Sequence, residues 1–343
     1  MVLFHHLKGD VVGQNMQVCL SKDPVGIPVA DDFEIKTSPI PDASGDQVLC
    51  RTLYLSLDPY MRGQIAGRHL SGSVAPGDLM RGETISEIVK DGSGFVAGQL
   101  IRCMGGWQSY SLQDPTMIAP VSSEISPSSF ALSVLGMTGL TAYAGMVWQA
   151  EVGKGDNVFI PSVTGAVGSV AAQICMTRGA RVVGMAGGPE KCLGALESIG
   201  VDACIDRFEK TPTEKLEEYF PDGIDVYFDL VGGTLLGDVC QRLANYGRIV
   251  LCGLMAEYNR KEREPGPSPG LLIGKRAKVS GLVVYDYESR RDEFIDSLLP
   301  LILNKTITQQ EDVTFGLSNA PEAFCRLMRG ENYGKVIVDL TQE

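Results

Sequence analysis

A glycine-rich turn that joins a short apolar run to a helix is the feature that most constrains the fold of this chain. The apolar run 158–160 leads to Gly165 and Gly168, apolar residues then recur at helical spacing, and a second apolar run occupies 181–185. Glycines at such a corner let the backbone approach a pyrophosphate, and the first amides of the helix carry a partial positive charge. Residues 156–188 therefore predict a dinucleotide site in a parallel sheet. A sheet of this kind without a cofactor is the alternative.

The end of the second predicted strand indicates which dinucleotide is bound. Sites that prefer NADH place an Asp or Glu about 20 residues beyond the turn, where the carboxylate binds the ribose hydroxyls and repels a phosphate. Residues 185–188 contain no acid, and Lys191 follows in the next turn, where an ammonium can pair with a 2′-phosphate. We predict NADP(H) as the cofactor. A solvated helix residue is the alternative role of Lys191.

Size and charge narrow the class of protein. A chain of 343 residues exceeds the usual size of one domain, about 100 to 200 residues, so we expect two domains that share a cleft. The net charge of −12 argues against nucleic-acid and anionic-membrane partners, which bind basic surfaces. The first residues include His5, His6, Lys8 and Asp10 and lack the continuous apolar run of a signal peptide, so we expect a cytoplasmic protein.

Cysteine and histidine usage predicts reduced thiols and no metal site. The nine cysteines occur singly, no pair has Cys-x-x-Cys spacing, and the chain has three histidines. Scattered cysteines, several of them within predicted core elements, are typical of a reducing compartment. Because a zinc site needs clustered Cys and His ligands, we expect neither a structural nor a catalytic zinc ion.

Two sequence patterns divide the chain into domains. Short alternating strands from about residue 17 to 120 predict an antiparallel domain, whereas helices alternate with apolar strands from residue 130 onwards, which predicts a parallel sheet. Residues 305–343 return to a mixed pattern and are expected to complete the first domain. The predicted α/β protein therefore has one domain of residues 1–130 and 305–343 and another of residues 131–304. The expected strands of the parallel sheet are 158–160, 181–185, 203–205, 224–230, 248–253 and 279–284, and the Pro- and Gly-rich residues 263–270 are expected to form a loop.

Sequence blocks along nearly the whole chain resemble one family. In chain order they are LYLSLDPYMRG (53–63), GWQSY (106–110), LGMTGLTAY (135–143), GAVGS (165–169), AGGPEK (186–191), VYFDLVGG (226–233), CGLMAEYN (252–259), LVVY (282–285) and ENYGK (331–335). The chain resembles the zinc-independent medium-chain dehydrogenases/reductases, which include leukotriene B4 dehydrogenase/prostaglandin reductase, plant alkenal double-bond reductases and bacterial curcumin reductase. The resemblance implies a Rossmann domain with a doubly wound parallel sheet and a GroES-like, mostly antiparallel β domain. It also implies a homodimer, for which an edge strand near 279–285 is the expected contact.

The resemblance also implies the reaction. Zinc dehydrogenases of the wider superfamily carry a Gly-His-Glu triplet where this chain has Arg81, Gly82 and Glu83, so the imidazole ligand is missing. A reduction without a metal is therefore favoured, in which hydride adds to the β-carbon of an α,β-unsaturated ketone or aldehyde and a tyrosine hydroxyl stabilises the resulting enolate. By resemblance, Tyr258 is the leading catalytic donor and Tyr60 the second. A tyrosine that anchors a strand in the core is the alternative role of Tyr60.

Further site residues follow from the same resemblance. Where relatives often carry a tyrosine after the third strand of the parallel sheet, this chain has Arg207, which can stack on adenine or pair with the 2′-phosphate. Leu230 replaces an asparagine and removes a polar cofactor contact, whereas Asn332 would tie the carboxyl-terminal tail to the cofactor. The implied cofactor contacts are Met137, Thr138, Gly165, Ala166, Val167, Gly168, Lys191, Arg207, Cys252, Gly253, Tyr258, Leu282, Val283 and Asn332. The implied substrate contacts are Tyr60, Tyr110 and Tyr285, with packing within the strands as the alternative for the isolated aromatic residues.

Three functions stay open at this point. The first is NADPH-dependent reduction of enones or alkenals. A quinone reductase or a hydroxy-lipid dehydrogenase would share every cofactor motif. A nucleotide-binding protein without catalysis would be expected to lack the pair Tyr60 and Tyr258, and both are present.

Overall fold

The computed structural model describes residues 13–209, 212–260, 262 and 265–342. His5, His6, Lys8, Asp10 and Arg263, on which some of the predictions rest, lie outside the described residues. Within the described part, the strands are β1 (Gln14–Leu20), β2 (Phe33–Pro39), β3 (Val48–Ser56), β4 (Thr84–Ile88), β5 (Leu100–Cys103), β6 (Tyr110–Gln113), β7 (Ala119–Pro120), β8 (Asn157–Pro161), β9 (Arg181–Ala186), β10 (Ala203–Asp206), β11 (Ile224–Asp229), β12 (Leu243–Leu251), β13 (Lys278–Gly281), β14 (Glu311–Phe315) and β15 (Lys335–Asp339). The α-helices are α1 (Tyr60–Ile65), α2 (Met137–Tyr143), α3 (Ala166–Thr177), α4 (Pro189–Gly194), α5 (Pro212–Tyr219), α6 (Thr234–Arg242), α7 (Pro269–Lys275), α8 (Arg291–Leu303) and α9 (Ala320–Arg329).

Six parallel strands form the sheet that the alternating pattern predicts. Their order is β10-β9-β8-β11-β12-β13, with parallel pairing throughout. Counted from β8, this is the doubly wound order 3-2-1-4-5-6, which reverses between β8 and β11. Such a sheet is covered on both faces, and accordingly Val158, Phe159 and Ile160 of β8 are fully buried. Ligands of these sheets bind beyond the carboxyl ends of the strands at the reversal, which is where β8 leads into the glycine-rich turn.

Three predicted elements have ends that differ from the structure by two or more residues. The predicted strand 248–253 corresponds to β12 (Leu243–Leu251), so its predicted start is five residues late and its predicted end two residues late. The predicted strand 279–284 ends already at Gly281, which is the last residue of β13 that pairs with β12, and residues Val284–Arg290 form a 3₁₀ helix instead. The predicted loop 263–270 extends two residues too far. The Ser268 hydroxyl accepts a hydrogen bond from the Gly270 amide, and Pro269 takes the first position of α7, which is a favoured way to begin a helix.

The second large sheet joins both ends of the chain. Its order is β14-β15-β3-β4-β5-β7, and β6 also pairs with β3. The pairings are antiparallel except between β14 and β15. Because β15 pairs with β3, the carboxyl-terminal strands lie in the sheet of the amino-terminal half, and Leu55, Trp107, Phe324 and Val338 share one core. The domain boundaries at 130/131 and 304/305 stay a prediction.

Candidate active site

The glycine-rich turn between β8 and α3 is too tight for a side chain at its centre. A Cβ added to Gly168 would lie 2.3 Å from the carbonyl oxygen of Ser162, and the amide of Gly165 donates to the same oxygen at 2.9 Å. Gly165 precedes α3, and no side chain among the described residues caps this helix. The amides of Ala166, Val167 and Gly168 have no partner within the helix and are available to an anion.

The carboxyl-terminal segment lies against this turn. The amide of Gly334 donates to the carbonyl oxygen of Thr164 at 2.9 Å, and Gly165 and Gly334 form a parallel bridge. The side-chain Nδ2 of Asn332 donates to the Gly334 carbonyl oxygen at 2.9 Å. The segment that carries Asn332 is therefore held beside the glycine-rich turn, although it follows the turn by more than 160 residues in the chain.

Two cations lie together beyond the ends of β9 and β10. The Lys191 ammonium donates to the carbonyl oxygens of Gly330 at 2.7 Å and Asn332 at 2.6 Å. The Arg207 guanidinium lies between Gly187 and Gly330, since a Cβ added to these glycines would be 2.8 Å and 3.5 Å from its nitrogens. Burial lowers the pKa of Lys191, and the positive charge of Arg207 lowers it further. A phosphate at this position would be close to both charges.

The loop after β12 is fastened to the end of β11. The amides of Cys252 and Gly253 donate to the carbonyl oxygen of Asp229 at 2.9 and 3.0 Å. A Cβ added to Gly253 would lie 2.8 Å from the carbonyl oxygen of Leu230, whose side chain is buried in the core. Burial raises the pKa of the Cys252 thiol to about 12, so this group stays neutral. The loop is thereby held at the carboxyl edge of the sheet, next to the glycine-rich turn.

Tyr258 and Tyr60 come from different halves of the molecule to the same core. Tyr258 lies in the loop after β12, Tyr60 is the first residue of α1, and both half-buried side chains pack against the core of the antiparallel sheet. Burial raises the pKa of the Tyr258 hydroxyl, and it raises the pKa of the Tyr60 hydroxyl well above the usual value, with the charge of Asp58 as the next cause. Both hydroxyls are therefore protonated near neutral pH and can donate a hydrogen bond.

A small polar cluster adjoins Tyr60. The rings of Tyr60 and His69 have centroids 5.0 Å apart, and His69 Nδ1 lies 2.7 Å from the Ser71 hydroxyl oxygen, which also accepts from Gln64 Nε2 at 2.8 Å. Tyr285 is close enough to Tyr60 for the ionised form of one to raise the pKa of the other. Burial raises the pKa of Tyr285, while a hydrogen bond with Ser71 opposes this. The predicted substrate residues Tyr60 and Tyr285 are thus brought together.

Tyr110 lies apart from this cluster. Tyr110 is on β6 and pairs with Arg51 of β3. Arg51 is five positions before Ser56, where β3 ends. At a rise of about 3.3 Å per residue, Tyr110 is about 16 Å along the sheet from the end that leads to Tyr60. Its predicted contact with substrate stays a prediction.

The remaining predicted contacts lie at the start of α2 and directly after β13. Met137 begins α2 and is half-buried, and the hydroxyl of buried Thr138 donates to the Ser133 carbonyl oxygen at 2.9 Å. Leu282 donates its amide to Leu251 at the end of β12, and Val283 follows it. The Leu282 side chain is buried in the core of the parallel sheet, so a contact from this residue to a cofactor would have to come from its backbone.

Sequence reasoning missed a buried ion pair next to Tyr60. Lys335 Nζ lies 2.7 Å from Asp58 Oδ1 and 2.8 Å from the Leu57 carbonyl oxygen, and the two charged side chains are 1% and 3% exposed. The Ser56 hydroxyl also bonds Asp58. Asp58 stands in the block LYLSLDPYMRG and Lys335 in the block ENYGK. The two residues are 277 positions apart, so no local spacing could show that they pair.

The position of the Gly-His-Glu triplet holds an ion pair. Glu83 Oε1 lies 2.5 Å from Arg102 Nη1, and burial raises the pKa of Glu83 while Arg102 opposes the shift. Among the residues that the structure describes, no three His, Cys, Asp or Glu side chains are grouped so that they could hold a metal ion. None of the described helices is both long and apolar enough to cross a bilayer.

Comparisons with known proteins identify the family. Residues 16–121 match the family described as N-terminal domain of oxidoreductase, and residues 166–304 match the family described as zinc-binding dehydrogenase. NADPH-dependent curcumin reductase of Escherichia coli (strain K12) is 35% identical over 95% of this chain and 96% of its own length. The chain belongs to the zinc-independent medium-chain dehydrogenases/reductases.

Another member of this group and a solved structure agree over the same span. The 2-alkenal reductase (NADP(+)-dependent) of Nicotiana tabacum is 36% identical over 96% of this chain and 98% of its own length. The crystal structure of CurA from Vibrio vulnificus in complex with NADPH superposes with a TM-score of 0.91, at 35% identity, over 96% of this chain and all of that one. The predicted family and the predicted α/β fold, a doubly wound parallel sheet with a mostly antiparallel sheet, are confirmed.

Proposed function

We propose that the protein uses NADPH to reduce the carbon-carbon double bond of α,β-unsaturated ketones and aldehydes. The observation that carries this proposal is that two protonated phenols, Tyr258 and Tyr60, come from different halves of the molecule and pack against the same core. Relatives of the same length support it, since their names state an NADPH-dependent curcumin reductase and an NADP-dependent 2-alkenal reductase.

The donors around the edge of the sheet fit NADP(H). The tight corner at Gly168 and the open amides of α3 suit a pyrophosphate, and the adjacent cations Lys191 and Arg207 suit a 2′-phosphate. When bound, the cofactor supplies the hydride for the reduction. The proposed cofactor contacts are Met137, Thr138, Gly165, Ala166, Val167, Gly168, Lys191, Arg207, Cys252, Gly253, Tyr258, Leu282, Val283 and Asn332.

The chain's own tyrosines would deal with the charge that develops on the substrate. Reduction at the β-carbon leaves negative charge on the carbonyl oxygen, and a neutral phenol that donates a hydrogen bond to this oxygen lowers the barrier. We assign this role to Tyr258, with Tyr60 as the second donor and Tyr285 as a further substrate contact. Because a phenol supplies the stabilisation, we propose a reaction that needs no metal ion.

A substrate screen combined with tyrosine variants tests the proposal. The wild-type protein is expected to oxidise NADPH faster than NADH with 3-nonen-2-one or trans-2-hexenal. Tyr258→Phe is expected to lower kcat by about 100-fold or more, the usual effect of removing one oxyanion donor. Tyr246→Phe is the matched control, because Tyr246 is an exposed tyrosine of β12. Turnover of quinones alone would indicate a quinone reductase, and full activity of a Tyr258→Phe/Tyr60→Phe variant would refute the proposed role of the phenols.

We further propose that the protein is a cytoplasmic homodimer. Strand β13 is the edge of the parallel sheet, and its Val279 side chain is 42% exposed, so a second copy could extend the sheet there. The nine cysteines are free thiols, which suits a reducing compartment. Light scattering should give twice the chain mass of 36.9 kDa, whereas a monomer mass at micromolar concentration would contradict the dimer.

A further inference from the structure

Helix α1 carries Tyr60 and also contacts the loop that carries Tyr258. Arg62, two residues after Tyr60, donates from Nε to Asn259 Oδ1 at 3.1 Å. Arg68, which follows α1, reaches the carbonyl oxygen of Tyr258 at 3.4 Å. These bonds join residues that are 197 and 190 positions apart, so they connect the antiparallel half of the molecule to the loop after β12.

Arg62 is an unusual residue for such a connection. It is 5% exposed, and its other acceptors are the carbonyl oxygens of Gly26 at 3.0 Å and Pro24 at 3.5 Å. All three acceptors are uncharged, although removing a guanidinium from water is unfavourable when no carboxylate compensates it directly. Burial lowers the pKa of Arg62, and the negative charge of Asp32 opposes this shift.

The loop after β12 is held differently at its two ends. Cys252 and Gly253 are fastened to Asp229, and the amide of Ala256 donates to the Val231 carbonyl oxygen at 3.0 Å, so this end belongs to the parallel sheet. At residues 258–259 the Tyr258 amide still donates to the Leu254 carbonyl oxygen at 3.1 Å, and this end is also bonded to the other half, through Arg62 of α1 and Arg68 beyond it. The position of Tyr258 therefore depends on the other half of the molecule as well as on its own loop.

We propose that Arg62 is a positioning residue for the proposed reduction: through Asn259 it holds Tyr258, and with it the donor hydroxyl, in a defined place against the core that Tyr60 also contacts. Arg62 itself does not act on the substrate. This inference rests on the proposed function. It adds the requirement that the donor hydroxyl be aligned with the substrate carbonyl oxygen when negative charge develops there in the transition state.

The first test separates kcat from cofactor binding. Arg62→Met is expected to lower kcat with an enone by about 10- to 100-fold, the range that a displacement of about 1 Å can cause, and to leave the KM for NADPH within about twofold. Asn259→Ala should act in the same direction, and Asn259→Asp, which keeps the acceptor oxygen, should retain most activity. The matched control is Arg181→Met. Arg181 likewise donates to a carbonyl oxygen, that of Tyr219, and to an asparagine oxygen, but at the amino edge of the sheet.

The second test asks whether Arg62 acts through the Tyr258 hydroxyl. In a Tyr258→Phe background there is no hydroxyl to position, so adding Arg62→Met should change kcat by less than about twofold. An equal loss in both backgrounds would show that Arg62 acts independently of Tyr258 and would overturn the proposal.

Amide hydrogen exchange gives a readout that does not depend on turnover. Arg62→Met should speed exchange in residues 252–260, most of all at Tyr258, whereas Arg181→Met should leave this segment unchanged. If the wild-type protein reduces no enone, the proposed function fails while faster exchange still supports the positioning role. Unchanged exchange in Arg62→Met refutes the positioning role whatever the substrate.

Discussion

Replacing Lys191 by Gln should weaken the binding of NADPH far more than the binding of NADH. A lysine ammonium has three N–H donors, and Lys191 uses two of them on the carbonyl oxygens of Gly330 and Asn332. The third donor is left for the 2′-phosphate, which NADH lacks. Glutamine keeps amide donors for the carboxyl-terminal segment but removes the charge, so the change tests the phosphate contact rather than the anchoring of the tail.

The size of the effect follows from that single remaining donor. One hydrogen bond to a charged group contributes about 1.5–3 kcal/mol. Since 1.36 kcal/mol corresponds to a tenfold change, the dissociation constant of NADPH should rise about 10- to 150-fold. Lys191 is half-buried, which limits screening by salt, and Arg207 remains next to it, so some preference for NADPH should persist. The variant Lys191→Gln/Arg207→Gln should lose that remainder.

Fluorescence titration with NADPH and NADH measures the effect directly. The control is Lys154→Gln, because Lys154 is an exposed lysine in the turn before β8. The dissociation constant for NADH should change by less than about threefold in every variant, since no hydrogen bond to it is lost. Equal weakening of both cofactors by Lys191→Gln would refute the 2′-phosphate contact and leave Lys191 only its bonds to the carboxyl-terminal segment.

Three further predictions concern single residues. The kcat for an enone should fall only above about pH 10, because Tyr258 donates while protonated and burial raises its pKa; a fall between pH 7 and 9 would contradict this assignment. Lys335→Met should lower the free energy of unfolding in urea by about 3–5 kcal/mol, because it leaves the Asp58 carboxylate buried without its partner, and Lys335→Met/Asp58→Asn should regain part of the loss. An unchanged unfolding midpoint would show that the pair is dispensable. Gly168→Ala should abolish NADPH binding in a titration, because its Cβ would lie 2.3 Å from the Ser162 carbonyl oxygen; normal affinity would mean that the turn can open.

The parts of the fold that sequence reasoning predicted well depend on neighbours in the chain. The unit from β8 through α3 to β9 is defined within about 30 residues by apolar periodicity and two glycines. The ends of β13 and α7 were missed for the same physical reason, since a strand end or a helix start depends on a few residues whose propensities are nearly balanced. The capping hydroxyl of Ser268 was a readable signal for α7, whereas the end of β13 depends on its pairing with β12.

The sequence by itself determined the parallel sheet, its glycine-rich turn, the absence of an acid from residues 185–188 and the family, because each is encoded by residues close together in the chain. Only the tertiary structure decided which side chains meet. Lys335 pairs with Asp58 and Arg62 with Asn259 across 277 and 197 positions, and these contacts exist because β15 returns to pair with β3 and because α1 docks on the loop after β12. Such contacts arise from the folded path of the whole chain, and no local periodicity or spacing carries information about them.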